Sequence, residues 1–461
     1  MANILSNLYA RSPIWAQSAL LSAYGLVLRR RRYGRAFKDE LSRLERSQWF
    51  DKSQLDELQN AALRRILTTA MRQVPHYRQH AAFKAADSAR LTISNVHEHL
   101  PCLTKSEVRA NPQSFVAEDG GSEKRTTIFT SGTSGSPLPV VASTKAIQTN
   151  YAFFARYLGW HGVSPTQHGA TFAGRLIVPK DQDTPPFWRH NRAMDTLLCS
   201  SYHLSERWLN EYVAALSDFS PDFIDSYPSA VVTVARHINV HRMSHSIRPK
   251  VVITSSETLL PSQRAHIEEA FGCKVRDHYG CAEMAALITE CEKGSYHVNP
   301  EFGLIEILRP DGSPCDVEED GDLCCTGFVN SSMPLIRYMI GDRARWSANQ
   351  CECGRHFPVV AALLGRADDS IVTPDGRTVG RLDPAFKGGS GIVEAQIVQR
   401  TLDTVEVLLV RGPGYNDSVA TQLQQDLQHR LGPQMTITIT PVAAIPRQPN
   451  GKFKSVVSLV K

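Results

Sequence analysis

Val251-Val252-Ile253-Thr254 opens the stretch that decides the fold, Pro261 and Gly272 divide it, and Lys274-Val275-Arg276-Asp277-His278 closes it. The first four residues form a β-branched run, the composition of a buried strand. Pro261 starts a helix, because its fixed φ suits the first helical position and its missing N–H is not needed there. Gly272 stops that helix, and the chain returns as a strand from Lys274 to His278. Strand, helix and strand within about thirty residues make a parallel crossover unit, so an α/β fold is expected. Further strands are read at Gly303–Leu308 and 322–325.

Working outward, 461 residues exceed what one core usually holds, and two domains are expected. The composition changes after Arg366. Asp368-Asp369-Ser370 and Thr373-Pro374-Asp375-Gly376 are polar and turn-rich, followed by a strand-like 405–410, a helix over Asp417–Leu431 and an alternating 436–440. The expected division is a large α/β N-terminal domain, 1–367, with a helical region over about 1–80, and a small α+β C-terminal domain, 368–461. Within the helical region, Ser53-x-x-Asp56 is read as a helix start, with Leu55, Leu58, Ala62 and Ile66 on one face and an end near Val74-Pro75.

A net charge of +5, spread along the chain, gives no reason to expect nucleic acid. The local exception is Arg29-Arg30-Arg31-Arg32, which follows a mostly apolar stretch at 13–28. That stretch is too short and too polar for a membrane span, and its charge lies on the wrong side for a secretory signal. It is read as an amphipathic helix packed on the main domain, with a helix lying on anionic lipid as the alternative. Cytoplasmic location follows, and with it ten cysteines that are thiols or metal ligands; a homodimer remains open.

Thr130-Ser131-Gly132-Thr133-Ser134-Gly135-Ser136-Pro137 alternates hydroxyls with glycines, so backbone N–H groups and side chains can both reach an anion. It lacks the Gly-Lys-Ser/Thr of a P-loop, and apolar Thr127-Ile128-Phe129 and Val140-Val141 hold its two ends. A flexible Ser/Gly loop is the plainer reading. Eight of the ten cysteines lie between Cys273 and Cys353. Cys291, His297, Cys351 and Cys353 supply three thiolates and an imidazole, a set that suits closed tetrahedral Zn2+; buried thiols beside a surface histidine are the alternative. Cys324 and Cys325 are read as core.

With this loop and the motifs that follow it in order, the chain resembles the adenylate-forming (ANL) superfamily of acyl-CoA synthetases, luciferases and adenylation domains. The resemblance makes Thr130 to Gly135 a phosphate-binding loop and Ser255-Ser256-Glu257 a wall of the adenine pocket. In Tyr279-Gly280-Cys281-Ala282-Glu283 it implies that Tyr279 stacks on adenine and Glu283 ligates Mg2+; Ala282 departs from the Thr or Ser many relatives carry. Asp342, in Tyr338-Met339-Ile340-Gly341-Asp342, would hold the ribose hydroxyls. Gly365-Arg366-Ala367-Asp368-Asp369 looks like the hinge, with Arg366 on nucleotide and Asp368 turning a mobile C-terminal domain. Lys452, in Pro446-Arg447-Gln448-Pro449-Asn450-Gly451-Lys452, looks like the catalytic lysine.

Residues 41–77, with Val74-Pro75-His76-Tyr77-Arg78, resemble the phenylacetate–CoA ligase branch and its capsular polysaccharide biosynthesis subgroup, where similar cysteine pairs bind a structural metal. The implied reaction forms an acyl-adenylate from ATP and a carboxylic acid, then transfers the acyl group to coenzyme A. Transfer to an amine or hydroxyl is the alternative. A non-catalytic zinc-stapled scaffold is the other, against which Glu283, Asp342, Arg366 and Lys452 argue. The acid is expected between 203–227 and the segment after Glu283, near Tyr227-Pro228-Ser229, with Phe187, Trp188 and Tyr202 as walls.

Overall fold

A computed structural model describes residues 9–118, 123–130, 138–164, 167–174, 176–179, 181–366, 371–374, 378–379, 391–412, 414–448 and 453–460. The N-terminal region is helical, with helices at Ile14–Arg32, Arg35–Ser47 and Lys52–Gln73. The last of these is capped two residues earlier than the sequence reading. Asp51 accepts the Gln54 N–H and the Gln54 side chain returns to the Asp51 N–H, so Asp51, not Ser53, is the cap. Its inward face carries Leu55, Ala62, Leu63, Ile66 and Leu67, while Leu58 is only half-buried. Gln59 takes the inner position, donating to the Gly303 carbonyl at 3.2 Å. Each fully buried aliphatic side chain on that face contributes about 1.5–3 kcal/mol.

Next come β1 (Arg125–Phe129) and β2 (Pro139–Ser143), an antiparallel hairpin. The chain then lays down β3 (Gly169–Ala173), β4 (Trp188–Asn191), β5 (Thr196–Ser200), β6 (Phe223–Ser226), β7 (Val251–Ser255) and β8 (Lys274–Gly280). After them follow β9 (Leu287–Glu290), β10 (Tyr296–Val298), β11 (Gly303–Leu308), β12 (Asp320–Gly327), β13 (Tyr338–Trp346) and β14 (Val359–Arg366). From β3 on they form one twelve-stranded sheet, β11-β12-β13-β14-β10-β9-β8-β7-β6-β3-β5-β4. β8, β7, β6, β3 and β5 run parallel, and the flanking strands pair antiparallel. The crossover expected between β7 and β8 is present: the helix Pro261–Phe271 has proline in its first turn and ends on Gly272 in the left-handed region, φ 66°.

After a short antiparallel ladder of β15 (Ile371–Val372) and β16 (Thr378–Val379), a further sheet, β19-β18-β17-β20, is built from β17 (Ile392–Thr401), β18 (Thr404–Arg411), β19 (Thr436–Pro441) and β20 (Val456–Ser458). The Asp417–Leu431 helix covers it, and Ile397, Val405, Leu409, Leu423 and Leu427 form a core of their own. The chain is thus α/β with a small α+β C-terminal unit, as expected. The proposed boundary residue, Asp368, lies outside the described residues.

The Ile14–Arg32 helix packs on the large sheet's β4 edge, in keeping with the reading of a helix packed on the main domain. Its buried positions are Gln17 and Gly25, with Leu21 and Leu28 half-buried beside them, while Trp15, Leu20, Tyr24, Leu26 and Val27 are exposed. Among the described residues no helix is long and apolar enough to cross a membrane.

Candidate active site

The parallel strands end at a cleft of about 480 Å³ lined by Phe129, Phe172, Asp225, Tyr227, Ser255 and Ser256, among others. This is where open α/β sheets bind ligands, since the loops diverge from the carboxyl ends of the strands. Ser256 sits there at φ 71°, and the two serine hydroxyls lie 3.5 Å apart. Glu257, next in the chain, does not open into free space. Its carboxylate accepts the Ser229 N–H and hydroxyl, each at 3.0 Å, and the Phe453 N–H at 2.7 Å. Burial pushes this carboxyl above its ordinary range despite the three bonds.

β8 delivers Tyr279 to the same edge. Its hydroxyl donates to Asp342 Oδ2 at 2.7 Å, so the candidate adenine and ribose residues are tied directly. Burial and the Asp342 carboxylate push the Tyr279 phenol up, which keeps it a donor. Asp342 stands opposite Arg366 in the β13–β14 register, and Gly365 adopts φ 77° beside it. Gly280 lies exposed at the rim.

The turn after β8 carries Glu283, whose side chain is 4% exposed. Tyr338 donates to Glu283 Oε1 at 3.1 Å and Lys105 Nζ lies 3.2 Å from the same oxygen. The turn is held from behind, because a Cβ on Gly327 would come within 2.5 Å of the Met284 carbonyl oxygen. Only glycine lets the two backbones approach so closely. Burial and the Glu283 charge push the Tyr338 phenol up.

Thr130 closes the β1–β2 hairpin, exchanging bonds with the Leu138 backbone at 2.9 and 3.0 Å. Ser131, Gly132, Thr133, Ser134, Gly135, Asp368 and Lys452 lie outside the described residues. Phe187, Trp188 and Tyr202 do not wall the cleft. Phe187 is buried in a stack with His203, and the Tyr202 hydroxyl is bonded to the Gly174 carbonyl. Phe129, Phe172 and Tyr227 hold that place. Sequence reading missed Lys105, whose signal was the capping box Thr104-x-x-Glu107 that starts its helix.

Behind the nucleotide edge, Cys291, His297, Cys351 and Cys353 present ligand atoms within 4.8 Å of one another. Cys291 and Cys351 Sγ lie 3.5 Å apart, and Cys353 Sγ lies 3.3 Å from His297 Nε2. The other ring nitrogen of His297 contacts the Phe357 carbonyl at 3.2 Å; a carbonyl only accepts, so Nδ1 carries the proton and Nε2 turns its lone pair toward the thiols. His297 is 0% exposed, so the surface-histidine alternative is not what the structure has. Cys324 and Cys325 are core residues of β12.

Residues 371–459 match the family model described as the CapK C-terminal domain. The whole chain is similar to Protein CapK of Staphylococcus aureus, 26% identical over 99% of this chain and 100% of that protein. It is also 23% identical to the phenylacetate-coenzyme A ligase of Thermus thermophilus, over 89% of this chain and 98% of that one. In fold it is similar to 2-hydroxyisobutyryl-CoA ligase in its postadenylation state, with TM-score 0.71, 18% identity and coverage of 89% and 90%. The same ligase in its thioesterification state gives a TM-score of 0.55.

Over nearly its whole length, then, the chain is similar to CapK and to a phenylacetate-coenzyme A ligase, and its C-terminal unit to the CapK C-terminal domain.

Proposed function

We propose that this protein is an AMP-forming ligase that activates a carboxylic acid with ATP and passes the acyl group to coenzyme A. The observation that carries the reading is the Tyr279–Asp342 hydrogen bond, at the carboxyl ends of the parallel strands and beside the buried Glu283. In the first step a carboxylate oxygen attacks the α-phosphorus of ATP and the bond to pyrophosphate breaks, leaving acyl-AMP. The carboxylate is already a competent nucleophile, so the protein's part is positioning and charge stabilisation.

Tyr279 packs on the base, Asp342 accepts from the ribose hydroxyls, and Ser255 and Ser256 border the pocket. Thr130 anchors the loop whose Ser131, Gly132, Thr133, Ser134 and Gly135 hold phosphate. Glu283 is the residue that would hold Mg2+, which neutralises phosphate charge. Lys105 Nζ lies 3.2 Å from Glu283 Oε1 and supplies a second positive group beside the phosphates. Lys452, one residue before the Phe453 that docks on Glu257, stabilises charge on the α-phosphate. In the second step a rotation at Asp368, the boundary between 1–367 and 368–461, withdraws Lys452 and admits the thiol, which displaces AMP.

Cys291, His297, Cys351 and Cys353 would hold Zn2+ as a structural ion with no open position. The reaction belongs in the cytoplasm, where ATP and coenzyme A are found. The test is acid-dependent ATP–pyrophosphate exchange across a panel of carboxylic acids. Exchange with no acid would return the chain to a scaffold role. A panel of thiol, amine and hydroxyl acceptors then decides the second step.

A further inference from the structure

The Ile14–Arg32 helix buries a glutamine and a glycine, with Leu21 and Leu28 half-buried beside them, and leaves most of its large apolar side chains exposed. Toward the protein it presents Gln17, Ser22 and Gly25. Arg189 Nε donates to Gln17 Oε1 at 2.7 Å, and the Arg192 N–H donates to Ser22 Oγ at 3.0 Å. Gly25 lies directly against Asn191, with no space for a Cβ. These contacts fix the helix's rotation about its axis.

That rotation sends most of the large apolar side chains outward. Six of the thirteen large apolar residues exposed among the described residues lie on this one helix: Ile14, Trp15, Leu20, Tyr24, Leu26 and Val27. Trp15 is 76% exposed and Val27 59%. At about 100° per residue, Trp15, Leu26 and Val27 fall on the outer half together with Arg30 and Arg31. The helix carries no acidic residue, and four arginines close its C-terminal end. Their attraction to the helix dipole explains a positive last turn. It does not explain an apolar outer face.

We propose that this helix docks the protein in the plane of an anionic lipid surface, its apolar half in the headgroup–acyl boundary and its arginines on the phosphates. Exposed apolar residues, aromatic residues suited to the water–lipid boundary, and clustered arginine are features that interfacial helices carry. The charge selects the occupant. A second copy meeting this face by two-fold symmetry would bring only further arginines and no acid to pair with them, whereas an anionic leaflet supplies negative charge along the whole helix. The helix lies on the β4 edge and uses none of the residues assigned to nucleotide or metal, so the inference stands apart from the ligase reading.

The test is co-sedimentation of the full chain with vesicles of phosphatidylcholine alone and of phosphatidylcholine with phosphatidylglycerol. The expected result is binding to the anionic vesicles only, weakening as salt is raised. Arg30→Ser with Arg31→Ser lowers the partition coefficient by about fivefold per arginine. Trp15→Ser with Val27→Ser lowers it as well, while both variants keep wild-type melting and solution exchange activity. Equal binding to both vesicles, binding to neither, or binding untouched by both variants overturns the proposal. So does a stable dimer in solution that the Trp15 and Val27 variant dissociates, since a second copy would then be what covers this face.

Discussion

Phe453 donates its backbone N–H to Glu257 Oε1 over 2.7 Å, and that carboxylate also holds both polar groups of Ser229. One half-buried acid therefore joins the C-terminal tail, the loop beside the candidate nucleotide cleft and the first turn of the Pro228–Val240 helix. A hydrogen bond to a charged group contributes about 1.5–3 kcal/mol. Glu257→Ala is expected to slow acyl-adenylate formation by about tenfold or more, because the tail loses its dock, and to leave transfer from supplied acyl-AMP unchanged. Pyrophosphate exchange and acyl-AMP consumption measure the two steps. Equal losses in both would make Glu257 a stabiliser of the large unit only.

Lys452→Ala should be more severe and equally one-sided. Removing a donor that stabilises developing charge costs about 10²–10³ in rate, and the transfer step, made after the lysine has left, should persist. A parallel fall in both half-reactions would assign the lysine to folding.

Purified protein should contain about one equivalent of zinc per chain, and Cys351→Ser should lose the zinc and melt earlier. The loss should also raise the KM for ATP, because Cys351 lies shortly after β13, the strand that carries Asp342. Metal-free protein with Cys351 freely alkylated in its native state would contradict the site.

Asp277 sets a pH dependence of stability. Burial above all, offset in part by the hydrogen bond from Thr254 and reinforced by the Glu290 carboxylate, pushes its carboxyl up to about 7 from an ordinary 3.8. Between those values the folded state holds a proton that the unfolded chain gives up, so stability falls as pH rises through the window. Asp277→Asn keeps an acceptor for Thr254 and removes the titration. The variant should match wild type near pH 4 and melt a few degrees higher at about pH 8. A Tm difference constant across that range would show that Asp277 is charged throughout.

The parts of the fold legible in the sequence are those written in local signals. Pro261 and Gly272 bracket a helix because φ restriction and φ freedom act on single residues, and β17 to β19 alternate visibly. The candidate nucleotide motifs are short and contiguous, so Tyr279, Glu283 and Asp342 could be singled out as expectations, and the structure brings Tyr279 and Asp342 into direct contact. What was not legible depends on partners far along the chain. Lys105 meets Glu283 across 178 residues, and Gly327 allows the Met284 turn to close only because another strand passes behind it. The N-terminal helix packs on the large domain as read, but which of its positions turn inward depends on Arg189, His190 and Asn191 on a distant strand.

That distance has a consequence in time. Gln17 and Ser22 find their partners 172 and 170 residues later in the chain. At ribosomal rates of about 5–20 residues per second, roughly 10–35 s pass between the two ends of each bond. During that interval the helix lacks the strand that later seats it, and its apolar side chains are on offer to whatever lies beside the ribosome. If that neighbour is a bilayer, the protein reaches its station before it is a protein, and β4 later closes over a helix already in place.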